Sequence, residues 1–312
     1  MSIFLKSLEL ASPLLLLTAL GYFLKKIRLL SNETSVVLSK LVLNVILPVN
    51  IFVNIYDSDF KSAFDIKLVL FILISNALFT ILAIFISKLA TKNKKQTSAL
   101  MQVCVRGNYS IFGLPLIVAI YGQIAAAPMA IAVAFLTPIY NIYAIGVFEH
   151  YQDRRVSIRK QIMNIFSTPL FIATIIGIVL NLANIKLPSF IYETLVYISK
   201  SITAISLINL GSSFNFKINK SLFRLLTIGL LFKLVLVPVL SIPAAIALGF
   251  RDVSLLVIVV TSMVPIATSA FSTAVCYNTD IELTSSAVVY SYVFCAITIP
   301  IFISIVTVLG LI

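Results

Sequence analysis

Arg106 and Asn108 stand two residues apart in the apolar stretch RGNYSIFGLPLIVAIYG, residues 106–122, together with Gly107, Gly113 and Pro115. A guanidinium and a carboxamide supply hydrogen-bond donors of the kind that hold a carboxylate or phosphate. Proline deletes a backbone hydrogen bond and clashes with the turn before it, so Gly113 and Pro115 mark an interrupted helix. Backbone N–H groups freed at the start of the next helical piece favour a bound anion, helped by the helix dipole. A second stretch, VVTSMVPIATSAFSTAVCYN, sets Pro265 among Thr261, Ser262, Thr268 and Ser269 and closes on CYN where the first closes on IYG.

Other chemistries lack their residues. The one histidine, His150, follows an apolar run, and Cys104, Cys276 and Cys295 all lie inside apolar runs. Small buried hydrophobes are the reading for such cysteines, and neither a metal site nor a cofactor is expected. Gly-rich phosphate loops and Gly-x-Ser-x-Gly elbows do not occur, so no enzymatic activity is expected. Charge placement is more informative. Lys40, Arg106, Lys200 and Lys233 fall within apolar runs, whereas the 11 acids sit in loops or near run ends. Charges inside a membrane mark a pathway or pair with one another. With no acid at mid-run to pair with, the excess positive charge favours an anionic ligand. Lys40 can also snorkel to the cytoplasmic surface.

The elements that position these residues are membrane helices. The 312 residues are 60% hydrophobic and 11% charged, with a net charge of +12, against about 25% charged in soluble domains. The mean hydropathy is +1.11. Unalternating apolar runs of about 20 residues indicate an all-α polytopic membrane protein in a lipid bilayer. Ten spans are expected, at 7–24, 34–56, 65–87, 98–121, 124–148, 163–183, 190–212, 222–248, 253–277 and 283–310. Fourteen Lys and Arg residues fall in the loops after spans 1, 3, 5 and 7, against five in the other loops and ends. The odd loops are therefore cytoplasmic and both termini lie outside. Positive charge spread over short loops offers no groove for nucleic acid.

SPLLLLTALG at 12–21 is echoed by TPLFIATIIG at 168–177, and the Ser–Lys pair at 39–40 by that at 199–200. Residues 1–149 and 163–312 then form two five-helix repeats joined by a cytoplasmic loop at 150–162. An odd number of spans per half inverts the second half, the plan of secondary transporters, with interrupted spans 4 and 9 crossing near the midplane. Asn108 lies two turns before Pro115 and shares its face. On an unbroken helix Arg106 points nearly the opposite way, towards a neighbouring helix, a lipid phosphate or the cytoplasmic vestibule. Asn108 is therefore the favoured ligand contact. Asn50 and Asn209, in spans 2 and 7, either line the site or bond between helices.

NYSIFGLPLIVAIYG at 108–122 resembles the fourth-span motif of the auxin efflux carrier family, which includes plant PIN carriers and bacterial malate/malonate permeases. VILPVNIF at 45–52, KLVLVPVL at 233–240, residues 261–280 and AITIPIFI at 296–303 are similar to its second, eighth, ninth and tenth spans. The resemblance implies inverted five-helix repeats, a scaffold that is often a homodimer, a moving transport part and a small organic anion as substrate in the cell membrane. It places Asn108, Gly113 and Pro115 at the span 4 site and crossover, and Pro265 with its neighbour Thr268 at the span 9 crossover. It also implies a substrate contact near Asn141. The long cytoplasmic loop of plant carriers has no counterpart beyond 150–162, which favours a bacterial organic-acid carrier over an auxin carrier. An anion channel, or an ion-coupled carrier of another solute on the same fold, is the alternative.

Overall fold

The computed structural model describes residues 3–57, 65–151, 163, 166–214 and 220–312. Most of the expected 150–162 loop therefore lies outside the described residues, as do Lys61 and Lys217. The helices are α1 (Ile3–Lys26), α2 (Asn32–Tyr56), α3 (Ile66–Ala90), α4 (Lys94–Val105), α5 (Tyr109–Tyr121), α6 (Ala126–Tyr151), α7 (Pro169–Leu182), α8 (Ser189–Ser213), α9 (Lys220–Ala247), α10 (Asp252–Met263), α11 (Ser269–Cys276) and α12 (Ile281–Val308). Among the described residues no strand forms. Helices α2, α3, α6, α8, α9 and α12 are long and apolar enough to cross a membrane. The stretches expected as spans 98–121 and 253–277 are each divided, into α4 and α5 and into α10 and α11.

Local sequence explains where helices start and where they widen. Ser31, Asp65, Asn93, Thr168 and Asp280 cap α2, α3, α4, α7 and α12 with side-chain oxygens that accept first-turn N–H groups, satisfying donors left without an intrahelical partner. Wide π-turns occupy Val42–Ile46, Tyr109–Gly113 and Phe232–Leu236. Each ends two residues before a proline, Pro48, Pro115 and Pro238 respectively. Proline has no N–H for the i−4 carbonyl and its ring crowds that carbonyl. A turn widened to i+5 bonding relieves the crowding and keeps the helix continuous.

Packing relies on small residues, because apolar side chains gain little by leaving lipid. A Cβ on Gly21 of α1 would lie 2.0 Å from the Ile208 carbonyl oxygen of α8, and one on Gly211 of α8 would lie 1.9 Å from the Thr18 carbonyl oxygen of α1. The two helices thus touch backbone to backbone. Helix α7 approaches α2 more loosely: a Cβ on Gly177 would lie 3.2 Å from Ile55 Cγ2 and 3.3 Å from the Phe52 carbonyl oxygen. Asn181 Nδ2 donates to the Tyr56 carbonyl at 2.9 Å. The interior has two apolar clusters. The smaller gathers Val42, Ile46, Leu47 and Ile51 of α2 with Leu170 of α7 and Ile202 of α8. The larger is built chiefly from α3–α6 and α9–α12.

Polar side chains tie α2 to α8. Asn209 Nδ2 donates to Ser39 Oγ at 2.8 Å, and Asn50 Nδ2 donates to Ser199 Oγ at 2.9 Å. Asn209 therefore serves as an interhelical tie. Lys40 and Lys200 are exposed on the outer surface of these helices. Lys200 is accordingly removed from the set of buried charges, because position inside an apolar run does not fix which face a residue occupies.

Replacing Gly211 with Leu should force α1 and α8 apart at a backbone contact. Overpacking of this kind costs roughly 1–3 kcal/mol. The thermal denaturation midpoint of the purified protein in detergent should fall by several degrees, whereas Lys200→Ala, at an exposed position of the same helix, should shift it far less.

Candidate functional site at a helix crossing

Helix α4 stops at Val105, and Arg106 is extended, with φ −73° and ψ 124°. Helix α10 stops at Met263, and Val264 is likewise extended, with ψ 146°. The two extended segments cross and pair through an isolated antiparallel bridge between Gly107 and Ile266. Asn108 N–H donates to the Pro265 carbonyl at 2.8 Å. Ile266 N–H donates to Ser291 Oγ of α12 at 2.9 Å. Unpaired backbone groups in hydrocarbon cost several kcal/mol each, and the crossing supplies partners that a broken helix lacks. Gly107 permits the approach: a Cβ there would lie 2.7 Å from both the Tyr109 ring and Val264 Cγ2.

Asn108 closes the start of α5. Its Oδ1 accepts from Ile111 N–H at 3.2 Å, and its backbone oxygen accepts from Gly113 N–H at 3.1 Å. Its amide nitrogen donates to the Tyr292 hydroxyl of α12. The start of α11 differs: Thr268 makes no side-chain cap, and the first turn of that helix borders a cavity.

Arg106 is fully buried at 0% exposure. Its Nη1 donates to Thr273 Oγ1 at 3.0 Å, and its Nη2 donates to Asn141 Oδ1 and Ser269 Oγ, both at 2.9 Å. The guanidinium carbon lies 5.2 Å from the centre of the Tyr140 ring. The acceptors are themselves oriented. Thr273 donates its own proton to the Ser269 carbonyl at 2.7 Å, and Asn141 Nδ2 donates to the Thr137 carbonyl at 2.9 Å. Their lone pairs are thereby turned to the guanidinium. Every one of these partners is neutral. Among the described residues Arg106 Nε–H has no hydrogen-bond partner, and no carboxylate forms an ion pair with Arg106.

Beside this group lies a cavity of about 20 Å³, bordered by Leu47 and Asn50 of α2, Ile202 of α8, Asn108, Ser110 and Tyr140, and by Ala267, Thr268 and Ser269. That volume admits about one water. It sits on the seam between the two apolar clusters, and Asn54 Nδ2 donates across it to Ser110 Oγ at 3.1 Å.

The structure brings Asn108, Arg106, Asn141, Pro265, Thr268 and Asn50 to one place. Three expectations change. The helix break falls at Arg106–Asn108 and not at Gly113–Pro115, because the π-turn accommodates Pro115 without a gap. Pro115 is exposed, and Gly113 packs away from the cavity, where a Cβ would lie 2.7 Å from Met129 Cε. Arg106 turns into the site and not away from it, since the phase of an unbroken helix no longer applies past residue 105. Lys233, at 2% exposure, lines a different cavity, and Lys200 is exposed. Sequence reasoning left Tyr140, Ser269, Thr273 and Tyr292 out of the site. The four-residue spacing of Ser269 and Thr273 on one helical face was a readable signal for the first arginine partner pair.

A helical membrane protein with a buried, uncompensated cation where two divided helices meet has the makings of a solute carrier. Residues 7–303 match the family model described as membrane transport protein, and the chain belongs to that family. This is the auxin efflux carrier type to which the sequence motifs point. The chain is 25% identical over 300 residues to an uncharacterized transporter of Methanothermobacter thermautotrophicus, covering 96% of this chain and 98% of that protein. It is 24% identical over 297 residues to an uncharacterized transporter of Methanocaldococcus jannaschii, covering 91% and 94% respectively. The protein is thus a multi-pass membrane transporter.

Replacing Gly107 with Ala should press the new methyl against Tyr109 and Val264 and weaken the backbone pairing. A lower thermal midpoint and slower backbone-amide exchange protection loss at Asn108 cannot both accompany it: protection at Asn108 should fall with stability. Unchanged protection in hydrogen–deuterium exchange would remove the crossing bridge as the reason for the glycine.

Proposed function

We propose that the protein is a secondary transporter of small carboxylates, malate or malonate being the model substrates, working by alternating access. The observation that carries this reading is the fully buried Arg106 guanidinium, held by neutral acceptors beside a cavity and without a counter-charge among the described residues. A planar guanidinium matches a carboxylate in shape and charge. The first turn of α11, which has no Thr268 side-chain cap, brings the positive end of a helix dipole to the same cavity. Asn108, Asn50 and Thr268 supply neutral polar contacts.

In the present conformation the cavity is about 20 Å³, too small for a dicarboxylate. Substrate therefore enters a state in which the α2–α7–α8 cluster has shifted relative to the crossing. The seam suits such a shift, because apolar side chains and few polar ties meet across it.

Symmetry in the packing supports ten spans as two inverted repeats, residues 1–149 and 163–312. Gly21 in the first expected span packs on the seventh, and Gly177 in the sixth packs on the second. The echoed Pro–Gly segments thus occupy equivalent contacts. The paired interruptions in the fourth and ninth expected spans pair with each other. Loop charge then sets both termini outside the cell membrane.

Reconstituted protein should exchange labelled malonate or malate against excess unlabelled substrate. Arg106→Gln should slow that exchange roughly tenfold to a hundredfold, from the ~1.5–3 kcal/mol of a hydrogen bond to a charged group. Lys200→Gln should leave it near the wild-type rate. No exchange by the wild-type protein across mono- and dicarboxylates, or flux without counterflow, would overturn the carrier reading. A cysteine at Lys92 should react with an impermeant maleimide only from the cytoplasmic side.

A further inference from the structure

Lys233 lies in the π-turn Phe232–Leu236 of α9 and is 2% exposed. It lines a cavity of about 50 Å³ that shares no lining residue with the cavity beside Arg106. Its ammonium sits 5.5 Å from the centre of the Tyr109 ring. Among the described residues no carboxylate pairs with it. The face of a tyrosine ring compensates only part of a buried charge.

We propose that this cavity is a second ligand site, for a small inorganic anion such as a halide. The volume has room for a few water-sized groups. The donors around it are unspent. Ser241 is 5% exposed, and its hydroxyl is buried without a partner. Ser75 and Asn76 of α3 line the same cavity and make no side-chain hydrogen bond among the described residues. On the α10 wall the hydroxyl protons are already committed: Thr261 donates to the Val257 carbonyl at 2.8 Å and Ser262 to the Val259 carbonyl at 2.7 Å. Free donors therefore come from α3 and α9, around the ammonium.

The head groups separate the two sites by shape. A guanidinium presents a flat fork, suited to a planar carboxylate. An ammonium is a compact point charge with three diverging N–H groups, suited to a spherical ion. Between the sites stand Tyr109 and Tyr140, with ring centres 5.7 Å apart. Tyr109 faces Lys233, and Tyr140 faces Arg106. An ion that neutralises Lys233 thus acts on a ring pair that also borders the crossing.

The test uses the full-length protein purified in methanesulfonate buffer and titrated with sodium bromide at constant ionic strength. Thermal midpoint is the readout, and bromide anomalous scattering in crystals gives the location. A saturable rise in midpoint is expected for the wild type and for Arg106→Gln. It should be abolished in Lys233→Gln and shifted to severalfold higher bromide in Ser241→Ala, which also serves should the lysine variant fail to fold. Anomalous density should lie beside Lys233. No saturable rise, a rise kept in Lys233→Gln, density at Arg106, or displacement of bromide from Lys233 by malonate would each overturn the proposal. Carboxylate counterflow is measured separately. Bromide binding without counterflow would sink only the carrier reading, and counterflow without bromide binding would sink only the halide site.

Discussion

The governing constraint is that a helix broken inside hydrocarbon must find partners for its freed backbone groups within the protein. Here two broken helices solve the problem for each other. Gly107 and Ile266 pair as a single antiparallel bridge, and the Asn108 N–H reaches the Pro265 carbonyl. Ser291 takes the remaining Ile266 N–H, and the Asn108 side chain covers Ile111. A side chain at 107 would press on the Tyr109 ring and on Val264 and weaken the approach. The crossing also explains the dense polarity nearby: Ser269, Thr273, Asn141 and Tyr292 all serve groups that the break exposes or carries into the interior.

The same break places a charge. Arg106 stands as the first residue after α4, where the negative end of that helix dipole favours a cation. Its hydrogen bonds all run to neutral oxygens, which orient the guanidinium without neutralising it. Replacing one of those acceptors with a carboxylate would have made a closed ion pair, whose desolvation is expensive and whose charge is spent. The observed arrangement leaves the charge hydrogen-bonded but without a counter-charge among the described residues.

Much of the architecture was legible in the sequence, and the errors have identifiable causes. Apolar runs located the helices, and the two divided spans were found by their polar and proline content. Proline content points to Gly113–Pro115 as the interruption, whereas the chain leaves the helix at Arg106–Asn108. Pro48, Pro115 and Pro238 each follow a π-turn in a helix that continues, so widening of the ladder replaces a gap. Helical phase points Arg106 to the far side, and that phase no longer holds once the chain leaves the helix at residue 106. Lys200 and Lys233 were indistinguishable as lysines within apolar runs. Only the packing of α8 and α9 separates an exposed ammonium from a buried one. Asn50 and Asn209 each proved to bond between α2 and α8, and Asn50 also borders the cavity.

The packing distributes stiffness unequally, and this bears on how a closed cavity could open. Helices α1 and α8 meet backbone to backbone at Gly21 and Gly211, a contact that tolerates little sliding because no side chain cushions it. Helix α2 is bound to α8 by Asn209 and Asn50, and to α7 through Asn181. These ties make α2, α7 and α8 a unit. The crossing is a second unit, held by backbone pairing and by the Arg106 bonds to α6 and α11. Between them the cavity is bordered by Leu47 and Ile202 on one side and by Ile111 and Ala267 on the other. Apolar contacts are not directional, so sliding exchanges one set for another, while the Asn54–Ser110 hydrogen bond is a tie that sliding would have to break. The seam beside the Arg106 partners thus joins the two units through apolar contacts together with the Asn54–Ser110 hydrogen bond.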